Sequence, residues 1–217
     1  MALRRAAQDD DIESQSTEKD ESFAVGQVTI RLPLDLNPLS LMALVLSFLP
    51  WAVPILLLAD GILSRRISSG FALGAIILTS LVSELILKPL IAEPRPPTSA
   101  CRTEDGKLLP GMPSGHVMIC QSMLTFYALE AMRHHLLVAA LILILCMPLM
   151  PWARWYNGDH TLKQVAVTFV VAAVVGLLDF LIFLALFDDG GHDPQKVLFT
   201  EVASIPTPGV ILGAHQG

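Results

Sequence analysis

Charge is scarce in this chain. Only 16% of its 217 residues are Asp, Glu, Lys or Arg, while 53% are hydrophobic. That balance excludes an ordinary soluble domain and fits a protein embedded in a bilayer. Cysteine is nearly missing, with three residues. Cys120 and Cys146 fall in apolar runs, where a cysteine acts as a small hydrophobe, and Cys101 has no second loop cysteine to pair with. A disulfide framework and a cysteine metal site are both excluded. There is no Walker loop, no HExxH and no carboxylate cluster suited to Mg²⁺ or Zn²⁺, so neither a metal nor another cofactor is expected. No internal repeat and no N-x-[ST] sequon occurs, and no nucleic-acid partner is expected.

What is present is a series of long apolar runs. About 20 apolar residues cross a bilayer as a helix. On that rule five spans are expected, at 39–59, 71–92, 114–132, 136–151 and 165–187. Pro50 and Pro54 are expected to kink the first. Trp152 and Trp155 would mark the interfacial end of the fourth. The fold class is therefore all-α, a polytopic membrane bundle of about five transmembrane helices. Residues 1–35 read as an acidic, disordered tail, since residues 1–22 hold seven acids against three bases and little apolar surface. That tail is too acidic for a transit peptide and lacks the apolar core of a signal peptide. Residues 36–187 form the membrane domain, and residues 188–217 a polar hinge, "DDGGHDPQK", followed by a segment expected to lie on the surface. Lys and Arg are too evenly divided to orient the bundle.

Five spans place two loops on one membrane face, and these loops hold three polar clusters. "KPLIAEPRPP" ends the second span with Lys88 and Arg95. A cation at the edge of the hydrocarbon core is functional by default, although snorkelling or a pair with Glu84 one turn back would also explain it. "GMPSGHVM" opens the third span. Ser114 is a candidate N-cap there, the helix-start amides form an anion site, Gly115 permits close approach, and His116 projects from the first turn. "RWYNGDHTLKQ" precedes the fifth span, with Arg154, Asp159, His160 and Lys163. Taken singly, each cluster is equally well an interfacial loop. Together they supply three cations, two histidines and free amides on one face. Such groups grip a phosphoryl group, and two histidines can serve as nucleophile and general acid.

These residues resemble the three-part signature of the type 2 phosphatidic acid phosphatase superfamily, K-x6-R-P, P-S-G-H and R-x5-H-x3-D. The chain reads "KPLIAEPRP" from Lys88, "PSGH" from Pro113 and "RWYNGDHTLKQ" from Arg154. The resemblance implies that Lys88, Arg95 and Arg154 hold phosphate oxygens, helped by Ser114 and the Gly115 amide. It implies His160 as the nucleophile that becomes phosphohistidine, and His116 as the acid and then the base. One position departs from the signature: Gln164 stands where the family has Asp. Four residues beyond His160, its carbonyl is expected to accept the Nδ1 proton of His160 and fix the tautomer. With Gln there, "HTLKQV", "AEPRP" and "GMPSGH" look most like the dolichyldiphosphatase branch. That likeness implies an endoplasmic reticulum membrane enzyme with its site facing the lumen. It would hydrolyse dolichyl diphosphate, or another polyisoprenoid diphosphate or phospholipid, to support N-glycosylation. The alternatives are a broad phosphatidate or lipid phosphate phosphatase and a non-catalytic lipid-phosphate-binding relative. A transporter is disfavoured, since the few acids within the expected spans, Glu84, Glu130 and Asp179, suggest no relay. A vanadate-binding haloperoxidase, which shares the motifs, is disfavoured by the five expected spans.

Overall fold

A computed structural model describes residues 22–25, 28–31, 37–103 and 105–187. Residues 1–21 and 188–217, the greater part of the expected tail and all of the expected C-terminal segment, lie outside the described residues.

Two short strands come first, β1 (Ser22–Val25) and β2 (Val28–Arg31), paired antiparallel with Val25 opposite Val28. The expectation for this stretch contained no strand. Its β-branched and aromatic residues, "SFAV" and "VTIR", suit a ladder. All other regular structure among the described residues is helical, as expected. In chain order the helices are α1 (Pro38–Ser47), α2 (Leu49–Ser64), α3 (Ile67–Val82), a π turn (Ser83–Leu87), α4 (Lys88–Ile91), α5 (Gly115–Arg133), α6 (Leu137–Cys146), α7 (Leu149–Tyr156) and α8 (Leu162–Phe187).

The helix starts follow from sequence. Asn37 caps α1, its side chain accepting from the Ser40 amide at 2.8 Å, with Pro38 in the first turn. The expected kink in the first span is a 51° bend between α1 and α2. Pro50 lies in the first turn of α2 and Pro54 inside that helix.

Among the described residues, three helical stretches are long and apolar enough to cross a membrane: Ile67–Ile91, Leu137–Tyr156 and Leu162–Phe187. The bent pair α1 and α2 makes a fourth if it counts as one span. The protein is a multi-pass membrane bundle, but by this criterion the expected number of five is not reached. The stretch that falls short is α5, 19 residues long and expected to be the third span. More than half of its residues are buried, among them Gln121, Ser122 and Glu130. Other helices enclose it, so its polarity need not match lipid. The outer faces of α3, α6 and α8 carry the exposed Leu, Ile and Val side chains that lipid would solvate.

Helices α5 and α8 run side by side in the same direction. The Ser114 amide donates to Thr168 Oγ1 at 3.1 Å, Gly176 lies against the backbone of Ser122, and Phe126 meets Phe180 edge-on. A Cβ on Gly176 would stand 2.2 Å from the Ser122 carbonyl oxygen, so this closeness requires glycine. The main core lies in the half remote from Ser114, where Phe126, Phe180, Phe183, Ile76 and Leu57 pack together with Phe71 against them. A smaller cluster, Val117, Cys120, Met150 and Val165, sits beneath the helix starts.

Candidate active site

One end of the bundle gathers the end of α4, the start of α5, the last turn of α7 and the start of α8. A cavity of about 1080 Å³ opens there, and Lys88, Arg95, Gly115, His116, Arg154 and His160 all line it. The three clusters, up to 76 positions apart from Lys88 to Gln164, thus meet at one place.

Arg154 lies in the last turn of α7, where the sequence suggested a loop. The polar turn proper is short, and Gly158 takes a left-handed conformation within it. Arg154 is almost fully buried, and its Nη2 pairs with Asp159 Oδ2 at 2.8 Å. Breaking a buried pair of this kind leaves an uncompensated charge, so Asp159 holds the guanidinium in place. The Arg154 Nε and Asp159 Oδ1 atoms have no partner.

Arg95 is held by carbonyls. Its Nε donates to Pro110 O at 3.3 Å and its Nη1 to Asp159 O at 3.3 Å, and Nη1 stands 3.2 Å from His160 Nε2. His160 precedes α8 and is buried. Its pKa is pushed well below the ordinary histidine value, chiefly by burial and then by the charges of Arg95, Arg154 and Lys88. The Gly111 carbonyl acts more weakly in the opposite sense. Apart from that weak contact with the Gly111 carbonyl, Nδ1 has no hydrogen-bond partner.

The bond expected from Gln164 to His160 is therefore not made. Gln164 instead completes a reciprocal cap. Its Oε1 accepts from the Thr161 amide at 3.1 Å, and its own amide donates to Thr161 Oγ1 at 3.2 Å. This is a capping box, T-x-x-Q, and it directs the side chain back to the helix start rather than towards the ring. The free Nε2 then donates to Pro94 O at 2.8 Å. Gln164 thereby ties α8 to the residue preceding Arg95. "HTLKQ" carries that capping signature in plain view.

Ser114 occupies the N-cap position of α5, as expected, but makes no side-chain cap bond. Its hydroxyl is buried without a partner, and so is His116 Nε2. Thr168 accepts from the Ser114 amide and donates to Gln164 O at 2.7 Å, joining the two helix starts. Lys88 pairs with Glu84, as the plainer reading of that cluster allowed, at 2.5 Å. Lys163 points away to Glu93 at 3.2 Å and is largely exposed. Sequence reasoning passed over Thr168, Gly111 and the clamping role of Asp159. Gly111 lies so close to Arg95 and Gln164 that a Cβ would stand 2.8 Å from Arg95 Cγ and 2.9 Å from Gln164 Nε2. Among the described residues, no three His, Cys, Asp or Glu side chains converge as a metal site would need.

This end of the molecule can do one kind of chemistry well. Cations and two imidazoles line one cavity there, with unpartnered buried polar atoms beside them, an arrangement suited to an anionic group. No curated protein and no solved structure matched the chain. The family model described as the PAP2 superfamily matches residues 69–188, which contain all three clusters. The chain belongs to the PAP2 superfamily.

Proposed function

We propose that this protein is a lipid phosphatase that hydrolyses dolichyl diphosphate to dolichyl phosphate and phosphate through a phosphohistidine. Family membership supports a phosphatase acting on lipid phosphates in a membrane. The observation that carries the chemistry is the meeting of Lys88, Arg95 and Arg154 with His116 and His160 around one cavity. The finer substrate rests on the likeness of "HTLKQV", "AEPRP" and "GMPSGH" to the dolichyldiphosphatases, and the endoplasmic reticulum and lumenal placement go with it.

In this reading the three cations hold the equatorial phosphoryl oxygens, with the Gly115 amide and the Ser114 hydroxyl. As the phosphate draws Arg95 away, His160 Nε2 is freed to attack phosphorus. A P–N bond forms, the P–O bond to the leaving group breaks, and His116 gives a proton to the departing oxygen. His116 then takes a proton from water, whose oxygen attacks phosphorus and breaks the P–N bond. Gln164 serves by holding Pro94 and the start of α8, a positioning part rather than a direct one. The apolar wall of the cavity, including Trp51, Ile55, Ile77 and Leu81, receives the lipid chain.

The test is phosphate release by purified protein in detergent with EDTA, comparing dolichyl diphosphate with phosphatidate. Faster release from the diphosphate supports the specific reading, and the EDTA should not slow it. Equal rates would make the enzyme a general lipid phosphate phosphatase. No release from either by folded protein would leave a lipid-phosphate-binding relative.

A further inference from the structure

Glu84 is the one acid of the cavity, and this mechanism leaves it unused. Its two carboxylate oxygens accept from Lys88 Nζ at 2.5 and 2.6 Å. Its Oε1 also lies 2.9 Å from where a Cβ on Gly115 would stand. The carboxylate thus rests against the first helical residue of α5 while gripping a cation. Glu84 is the sole acid among the residues lining a cavity that holds Lys88, Arg95 and Arg154. It sits on the π turn, a distortion often found at functional sites. An ammonium group beside a helix start is where any anion is favoured. A second observation points the same way: His116 Nε2, one residue beyond Gly115 and in the same wall, is buried with no partner.

We propose that Glu84 is an internal ligand of the phosphate site, occupying Lys88 and the start of α5 until a phosphate displaces it. Two anions sharing one ammonium group repel each other, so phosphate and the Glu84 carboxylate alternate on Lys88. The carboxylate yields when substrate enters and returns as product phosphate leaves. It weakens the binding of every phosphate by a common factor. A lipid recovers that loss by burying its chain along the apolar wall, whereas free inorganic phosphate has no such compensation. Glu84 thereby keeps ambient phosphate from filling the site. Its effect on turnover rests on the phosphatase reading, but its effect on anion binding does not.

The experiment titrates purified full-length protein in detergent with orthophosphate and orthovanadate, following the thermal midpoint, for wild type, Glu84→Gln and Glu84→Asp. Glu84→Gln should bind both anions about tenfold more tightly, since the amide keeps the shape and loses the charge. Glu84→Asp, one methylene shorter, cannot reach both Lys88 and Gly115, and should give a smaller gain. In turnover assays the KM and the Ki for phosphate should fall together, by about the factor seen in the anion titration. Unchanged or weaker anion binding in the variants would overturn the proposal and make Glu84 merely a support for Lys88. Should Glu84→Gln fail to fold, the Glu84→Asp titration decides in the same sense. Tighter anion binding in a protein that hydrolyses no lipid phosphate would sustain the internal ligand and defeat the phosphatase reading. Hydrolysis with unaltered anion binding would do the reverse.

Discussion

Arg95 Nη1 lies 3.2 Å from His160 Nε2. A guanidinium can only donate, so Nε2 is the acceptor, and the single proton of the neutral ring sits on Nδ1. The ring is therefore held in the tautomer whose free electron pair faces the cations. A bond to Gln164 was expected to set that tautomer; the arginine does so from the other side.

His160→Ala should abolish turnover, a loss of at least about four orders of magnitude, because no neighbouring group can replace the nucleophile. Acid-labile, base-stable ³²P labelling of the protein should vanish with it. Rates near wild type would remove His160 from the nucleophile's role.

Histidine titration followed by NMR in detergent should place His160 below the ordinary value of about 6.5. The depressed pKa fixes the sign of the effect on stability. Between the folded pKa and the unfolded one, the unfolded chain binds a proton that the folded protein refuses. This contribution to stability is complete above about pH 6.5 and is lost as the pH falls below that value towards the folded pKa. A midpoint at or above 6.5 would contradict the burial and charge argument.

Gly111→Ala should cut kcat/KM by about tenfold to a hundredfold with little effect on the thermal midpoint. The added methyl would stand 2.8 Å from Arg95 Cγ and 2.9 Å from Gln164 Nε2. Either the guanidinium or the loop must shift, and displacements of about 1 Å carry losses of that size. Wild-type kinetics would show that Arg95 can move freely.

Asp159→Asn should destabilise the protein by about 3–5 kcal/mol, since it leaves Arg154 buried without its counter-charge. Denaturation in detergent measures this directly. A change under about 1 kcal/mol would mean that water or lipid phosphate compensates.

Much of this arrangement was legible in the chain because it depends on order and polarity. The helical class, the bend near Pro50 and the three clusters all follow from apolar runs and the polar residues between them. The shortfall at α5 lay in its composition and so was open to reading, but that other helices enclose its polar residues shows only in the fold. Gln164 was misjudged for a related reason. Helical spacing showed that it could approach His160, but the choice between the ring and the Thr161 amide depends on the cap geometry of one turn. Thr168 and Gly176 carry no motif; their parts appear only once α5 and α8 lie together.

The polarity of α5 also bears on how the protein is made. A stretch containing Gln121, Ser122 and Glu130 gains little from lipid on its own. Its partner α8 lies 29 residues further on, from Leu162 to Arg133. The contact of Gly176 with Ser122 that packs α5 can therefore form only once α8 has been made. The order of synthesis thus leaves the closest helix pair of the bundle among the last to form.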